Sequence, residues 1–189
     1  MLKPDKMLQM ISKYGLTTFC APPTVYRFLV RQDLSKYDLS KCVRFSTAGE
    51  ALNGEVFEKW LEKTGKKIYE GYGQSESTVI CGNFMEYSDI RPGSMGRANP
   101  CYDISVLNPN GKPVPNGEAG ELCINVSNGR PYGLLKGYYK DVSLTAEAFD
   151  GGVYHTGDNV YMDDDGYVWF VGRKDDIIKS SGYRISPFE

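Results

Sequence analysis

The run Gly172-Arg173-Lys174-Asp175-Asp176-Ile177-Ile178-Lys179-Ser180-Ser181-Gly182-Tyr183-Arg184-Ile185 sets two arginines on either side of a small glycine-bearing loop. Arginine offers several donors in a fixed plane, which suits ribose hydroxyls and phosphate oxygens. Charge runs are ordinarily solvated surface, but Ser180-Ser181-Gly182 breaks this one and permits close backbone approach. A second candidate, Tyr69-Glu70-Gly71-Tyr72-Gly73-Gln74-Ser75-Glu76-Ser77, puts two glycines, hydroxyls and acids directly after an expected strand. Glycine lets a flat ring or a phosphate come near the backbone, and the carboxylate beside it can hold Mg²⁺. A strained turn with polar decoration fits the same residues, while a dinucleotide fingerprint fits less well because its third glycine is missing.

Two further segments can join them. Ser46-Thr47-Ala48-Gly49-Glu50 stands at the end of an expected strand, so two neighbouring strand tips with small residues and a carboxylate could form a nucleoside slot. By itself it reads equally as an ordinary strand-to-helix turn. Tyr154-His155-Thr156-Gly157-Asp158 is expected to end another strand with a carboxylate able to accept both hydroxyls of a ribose, or to act as a turn aspartate. His155 is the one histidine in the chain, with no nucleophile signature and no ligand series around it, so it is not assigned a catalytic role.

The elements that must hold these residues follow from periodicity and punctuation. Helices are expected from Pro4 to about Tyr14, stopped by Gly15; from Pro23 to about Gln32, with Val25, Phe28 and Leu29 at helical spacing; and from an Asn53 cap through Trp60 and Leu61 to Gly65. Strands are expected over Val43–Ser46 and Lys67–Glu70, the latter running into a Gly71-Tyr72-Gly73 turn. Strand, helix, strand implies a parallel pair. From about Arg91 the rhythm changes to Pro and Gly every 8 to 12 residues around Ile104–Leu107, Gly120–Val126 and Tyr167–Val171, with hairpin turns at Asn110-Gly111 and Asp165-Gly166. The fold class is therefore α+β or α/β: a slice of parallel α/β sheet followed by a small antiparallel, barrel-like module. Residues 1–90 form the first part, 91–172 the β-rich part, and 173–189 a hinge into a further C-terminal domain.

Composition bounds the function. With 189 residues, 41% of them hydrophobic, the chain can bury a core; 22 basic against 24 acidic side chains leave no broad footprint for nucleic acid or anionic membrane. Five scattered cysteines without a C-x-x-C pair argue against a disulfide framework and a zinc site, and point to the cytosol. No stretch of 18 apolar residues occurs, so no membrane span is expected.

The four segments together, in this order, resemble the adenylate-forming superfamily over essentially the whole chain. The wording Glu70-Gly-Tyr-Gly-Gln74, Arg91-Pro-Gly-Ser-Met-Gly96, Asn128-Gly-Arg-Pro-Tyr-Gly133 and Ser180-Ser-Gly-Tyr-Arg-Ile185 is similar to its medium-chain acyl-CoA synthetase branch. That resemblance implies ATP, Mg²⁺, coenzyme A and a carboxylic acid as partners, and a ligase that makes an acyl-AMP and then a CoA thioester. It implies that Gly49, Glu50 and Ala51 line the adenine, and that Glu70, Gly71, Tyr72, Gly73, Gln74 and Ser75 form the other wall with Tyr72 stacked on the purine. Ser75 would lie near the α-phosphate, Glu76 would hold Mg²⁺, and Asp158 and Arg173 would grip the ribose. Arg184 would lie near phosphate or substrate, Ser181, Gly182 and Tyr183 would meet the CoA arm, and Asp175 would be the hinge. Ser75 stands where the family usually has Thr, which keeps the hydroxyl. The family's Lys-ending phosphate loop is not found in residues 1–45 and its late catalytic lysine would fall beyond Glu189, so the chain is expected to be an incomplete part of the enzyme, inactive alone. Adenylation for a carrier protein, or a non-catalytic nucleotide-binding module, are the alternatives.

Overall fold

A computed structural model describes residues 3–85, 89–174, 178–180 and 183–185, the last two stretches by backbone only. The chain divides into two compact units, Met1–Tyr72 with Gly82–Gly96 and Gly73–Cys81 with Arg97–Glu189.

The first unit begins with α1 (Pro4–Tyr14), where proline occupies a first-turn position whose N–H has no helical partner to lose. Leu8 and Ile11 face inward one turn apart, and Gly15 closes the helix in the left-handed conformation, as its position predicts. β1 (Thr18–Cys20) follows; at three residues it is too short for alternation to announce it. α2 (Pro23–Leu29) is three residues shorter than the expected helix. Its buried stripe is Val25, Tyr26 and Leu29, which leaves Phe28 on the edge and 41% exposed. β2 (Arg44–Thr47), α3 (Gly54–Thr64) and β3 (Ile68–Gly73) then make the strand-helix-strand unit. The Asn53 side chain accepts from the Glu55 N–H at 2.8 Å, the cap that starts α3. β1 pairs with β2 and β2 with β3, both parallel, with Phe19 opposite Phe45 and Phe45 opposite Ile68.

This unit's core is aromatic at its centre. Trp60 of α3 is fully buried, edge-on to Tyr26 at 5.3 Å and to Phe45 at 4.8 Å between ring centroids. Leu8, Ile11, Leu29, Leu52, Phe57 and Ile68 are among the buried residues of the same cluster.

Gly71-Tyr72-Gly73 is strand and not the expected turn, because β3 continues to Gly73. The glycine is needed there for close approach: a Cβ on Gly73 would lie 2.3 Å from the Thr78 carbonyl oxygen. The reversal comes over Gln74–Ser77, where the Ser77 N–H returns to the Gln74 carbonyl, and leads into β4 (Val79–Gly82).

The second unit adds β5 (Arg97–Ala98), β6 (Ile104–Leu107), β7 (Gly120–Asn125), α4 (Val142–Ala148), β8 (Val153–Met162) and β9 (Val168–Arg173). β6, β7, β8 and β9 form an antiparallel sheet in that order. The expected turns occur at Gly111 and Gly166, both at positive φ. β10 (Ile178–Ser180) and β11 (Tyr183–Ile185) pair antiparallel, with Lys179 opposite Arg184.

Candidate functional site

In the second unit the expected strand end at Asp158 is the middle of ten-residue β8. Cys123 of β7 pairs with His155 and Glu121 with Asn159, so Thr156, Gly157 and Asp158 together face the single residue Leu122. This bulge frees polar groups that must be paired elsewhere. The Thr156 hydroxyl donates to the Leu122 carbonyl at 2.7 Å, and the Gly157 N–H donates to Glu121 Oε1 at 3.1 Å. Gly157 sits at φ 73, a conformation that favours glycine, and a Cβ there would come within 3.1 Å of the Arg173 guanidinium and push it aside.

The bulge aims Asp158 inward, 4% exposed, directly across from Arg173 in the β8–β9 register. Arg173 Nη1 donates to Asp158 Oδ1 and to the Thr156 carbonyl, each at 3.1 Å. Gln74 supplies the other side: its amide Nε2 donates to Asp158 Oδ2 at 2.7 Å and to the Thr156 carbonyl at 2.8 Å, while its Oε1 accepts from the Tyr154 hydroxyl at 2.9 Å. Glu76, two residues on, accepts from the Tyr138 hydroxyl at 3.2 Å through Oε1. Burial, and then the charge of Glu76, raise Tyr138 above the ordinary tyrosine range, so it stays a donor. Burial raises the neighbouring Tyr154 as well. Gln74, Glu76, Tyr138, Tyr154 and Arg173 line one open cleft of about 970 Å³, near the upper end of the volumes that small-molecule sites occupy. Glu76 brings a hard oxygen donor to that cleft, a donor type that fits Mg²⁺. Ser75 is exposed at the tip of the turn.

The first unit holds the remaining described candidates. Thr47, the last residue of β2, is the register partner of Glu70, the third residue of β3. Thr47 Oγ1 and Glu70 Oε2 are both buried and without a hydrogen-bond partner, so two polar atoms are left unsatisfied on neighbouring strands. Glu70 Oε1 accepts from the Leu52 N–H at 3.0 Å, which ties β3 to the segment after Glu50. The Glu50 carboxylate is drawn to α2, accepting from Thr24 at 2.7 Å and from Arg27 at 3.0 Å. Around Gly49, nothing lies within 4 Å of where a Cβ would stand. Ala51 is exposed, and Gly71 and Tyr72 are partly buried. Glu50 and Tyr72 thus belong to the first unit, and Asp158 and Arg173 to the second. Asp175, Ser181 and Gly182 lie outside the described residues, and Tyr183 and Arg184 are described only as backbone of β11.

Glu70 also gives a pH prediction. Burial raises its carboxyl from 4.5 to about 7, against the lowering effect of the Leu52 N–H. A raised carboxyl binds its proton more tightly in the folded state, so its stabilising contribution is complete below about 4.5 and is lost as pH rises through about 7. At one pKa unit per 1.36 kcal/mol, the loss is bounded at roughly 3 kcal/mol. Glu70→Gln keeps the acceptor for Leu52 and removes the titration. Thermal melts across this window should therefore decline for the parent and stay flatter for the variant; parallel curves would contradict the assignment.

Sequence reading missed Tyr138 and Glu121 as site residues, and Tyr154 and Thr156 entered it only as members of the Tyr154–Asp158 motif. Glu76 and Tyr138 lie 62 positions apart, and no local spacing connects them.

The first unit is a parallel strand-helix-strand arrangement, a class of fold that takes ligands at its strand ends, and the second is an antiparallel module that carries a carboxylate-arginine pair. Residues 1–139 match the AMP-binding enzyme family, and the chain belongs to it. Over 183 residues it is 50% identical to the mouse (Mus musculus) protein named acyl-coenzyme A synthetase ACSM3, mitochondrial, covering 97% of this chain and 31% of that protein. The human (Homo sapiens) protein named acyl-coenzyme A synthetase ACSM4, mitochondrial, is 45% identical over 185 residues, 98% of this chain and 32% of its own length. A crystal structure of the anthranilate CoA ligase AuaEII in complex with anthranoyl-AMP superposes with a TM-score of 0.87 at 32% identity, covering 97% of this chain and 35% of that one. The chain thus spans about a third of the length of the relatives it matches. The cytosolic assignment is corrected by the same relatives, which are named mitochondrial. Free cysteines argue against an oxidising compartment but do not choose among reducing ones.

Proposed function

We propose that this chain contributes the adenosine site of an AMP-forming acyl-CoA synthetase. In the whole enzyme a carboxylate attacks the α-phosphate of ATP, giving acyl-AMP and pyrophosphate, and the CoA thiol then displaces AMP. The observation that carries the reading is the pairing of Asp158 with Arg173 across the β8–β9 ladder, with Gln74 on its other oxygen, at the edge of the cleft. A carboxylate accepts from ribose hydroxyls and a guanidinium donates to ribose oxygens, so the pair has the donor and acceptor types that a ribose needs.

In this reading Gly49, Glu50 and Ala51 line the adenine through their backbone, since the Glu50 carboxylate is engaged by Thr24 and Arg27. Glu70 through Gln74 form the opposite wall with Tyr72 on the purine face. Ser75 orients the α-phosphate and acyl carboxylate, and Glu76, steadied by Tyr138, would hold Mg²⁺, which neutralises phosphate charge when bound. Arg184 serves the phosphate or substrate, Ser181, Gly182 and Tyr183 the CoA arm, and Asp175 the turn of residues 173–189 as a hinge.

Calorimetry of this chain with AMP, ATP with Mg²⁺, and CoA tests the proposal. AMP and ATP are expected to bind with one site per chain. Absence of heat with either nucleotide, from protein shown folded by circular dichroism, would sink it.

A further inference from the structure

Glu121, Cys123 and His155 bring carboxylate oxygen, thiol sulfur and imidazole nitrogen within 4.8 Å of one another, the one such mixed cluster among the described residues. None has a role in the nucleotide reading, and the cluster stands apart from it. β7 and β8 create the cluster. Cys123 and His155 are direct register partners, and the bulge after Glu121 turns its carboxylate back toward them. His155 Nδ1 lies 3.0 Å from Glu121 Oε2 and 3.7 Å from Cys123 Sγ.

Those separations are close to the edges of a zinc tetrahedron. Bond lengths of about 2.0 Å to nitrogen and oxygen and about 2.3 Å to sulfur give donor-donor distances of roughly 3.3–3.6 Å. The same ring nitrogen, Nδ1, stands within reach of both other donors, and all three atoms lie within 4.8 Å of one another. Glu121 Oε1 is already held by the Gly157 N–H, which leaves Oε2 as a single oriented donor. Glu121 and His155 line the cleft, so a fourth position opens to solvent. Lys174 Nζ sits 3.3 Å from Glu121 Oε2, showing that a positive charge is accepted there, and its side chain is exposed and able to leave.

We propose that Glu121 Oε2, Cys123 Sγ and His155 Nδ1 form a site for a borderline divalent cation of the zinc type, with one coordination position open to the cleft. Binding removes the thiol proton to solvent and replaces Lys174 at the carboxylate; no oxidation or reduction takes place.

The test is titration of the intact chain with Co²⁺, followed by competition with Zn²⁺. One equivalent should produce a thiolate-to-cobalt charge-transfer band and the intense visible bands of four-coordinate cobalt, both abolished by Zn²⁺. His155→Gln, at a partly exposed position, should weaken binding at least tenfold with its circular dichroism unchanged, and Cys123→Ser should remove the charge-transfer band. Lys174→Met, which deletes the competing ammonium, should tighten binding about tenfold. Absence of the charge-transfer band in folded parent protein overturns the proposal, as does cobalt binding that His155→Gln leaves unaltered.

Discussion

Asp158→Asn is expected to lower AMP affinity about 100-fold, equivalent to about 2.7 kcal/mol, and to cost the fold about 1–3 kcal/mol. The native carboxylate accepts from Arg173 on one oxygen and from Gln74 on the other, at a position 4% exposed. Asparagine has the same volume but only one acceptor oxygen, so its amide NH₂ must face one of those two donors. Both donors also reach the Thr156 carbonyl, so the cost comes from setting the new amide NH₂ against a donor at a buried position, where a polar group without an acceptor is costlier than a missing hydrogen bond. Affinity falls further because ribose hydroxyls then meet a neutral acceptor in place of a charged one. Calorimetry with AMP gives the first quantity and urea unfolding the second. An unchanged AMP affinity in a folded variant would separate Asp158 from ligand recognition altogether.

Trp60→Ala acts only through stability, with an expected loss of about 3–5 kcal/mol. The indole is fully enclosed and has ring contacts with Tyr26 of α2 and Phe45 of β2, so it is the point where helix, sheet and second helix meet. Its Nε1 has no hydrogen-bond partner, so removal forfeits no polar pairing and the cost is that of the cavity and lost contacts. A loss of that size is a large part of a typical domain's total stability. Urea unfolding should show a fall in midpoint. Trp60→Phe, which keeps an aromatic at the centre, should recover most of it; equal losses for both variants would contradict the cavity argument.

Elements with local causes were legible in the sequence. Pro4, Gly15, Asn53 and Gly65 each act on the backbone within one turn, and α1 and α3 begin and end where those residues predict. The antiparallel strands β6, β7 and β9 lie where the Pro and Gly spacing placed them. Asp158 and Arg173 were each named from a motif of their own, but their pairing with one another appears only in the β8–β9 register. What escaped was set by pairing over distance. Nothing near Asp158 announces that three residues bulge against Leu122, so a strand interior was read as a strand end. Gly71 and Gly73 were read as turn formers, yet one of them serves to let the Thr78 carbonyl pass close by. The Glu121, Cys123 and His155 cluster had no sequence signal, because its spacing exists only once β7 and β8 are in register.

Gln74 reaches an acid 84 positions later in the chain. During synthesis the hairpin carrying it therefore emerges long before its partner exists, and its amide must stay hydrated until β8 arrives. Closing so large a loop adds only slowly to the entropic cost, but it delays assembly relative to local helices such as α1 and α3. Residues 73–81 are thus made early, but the Gln74 amide gains its acid only when β8 is in place.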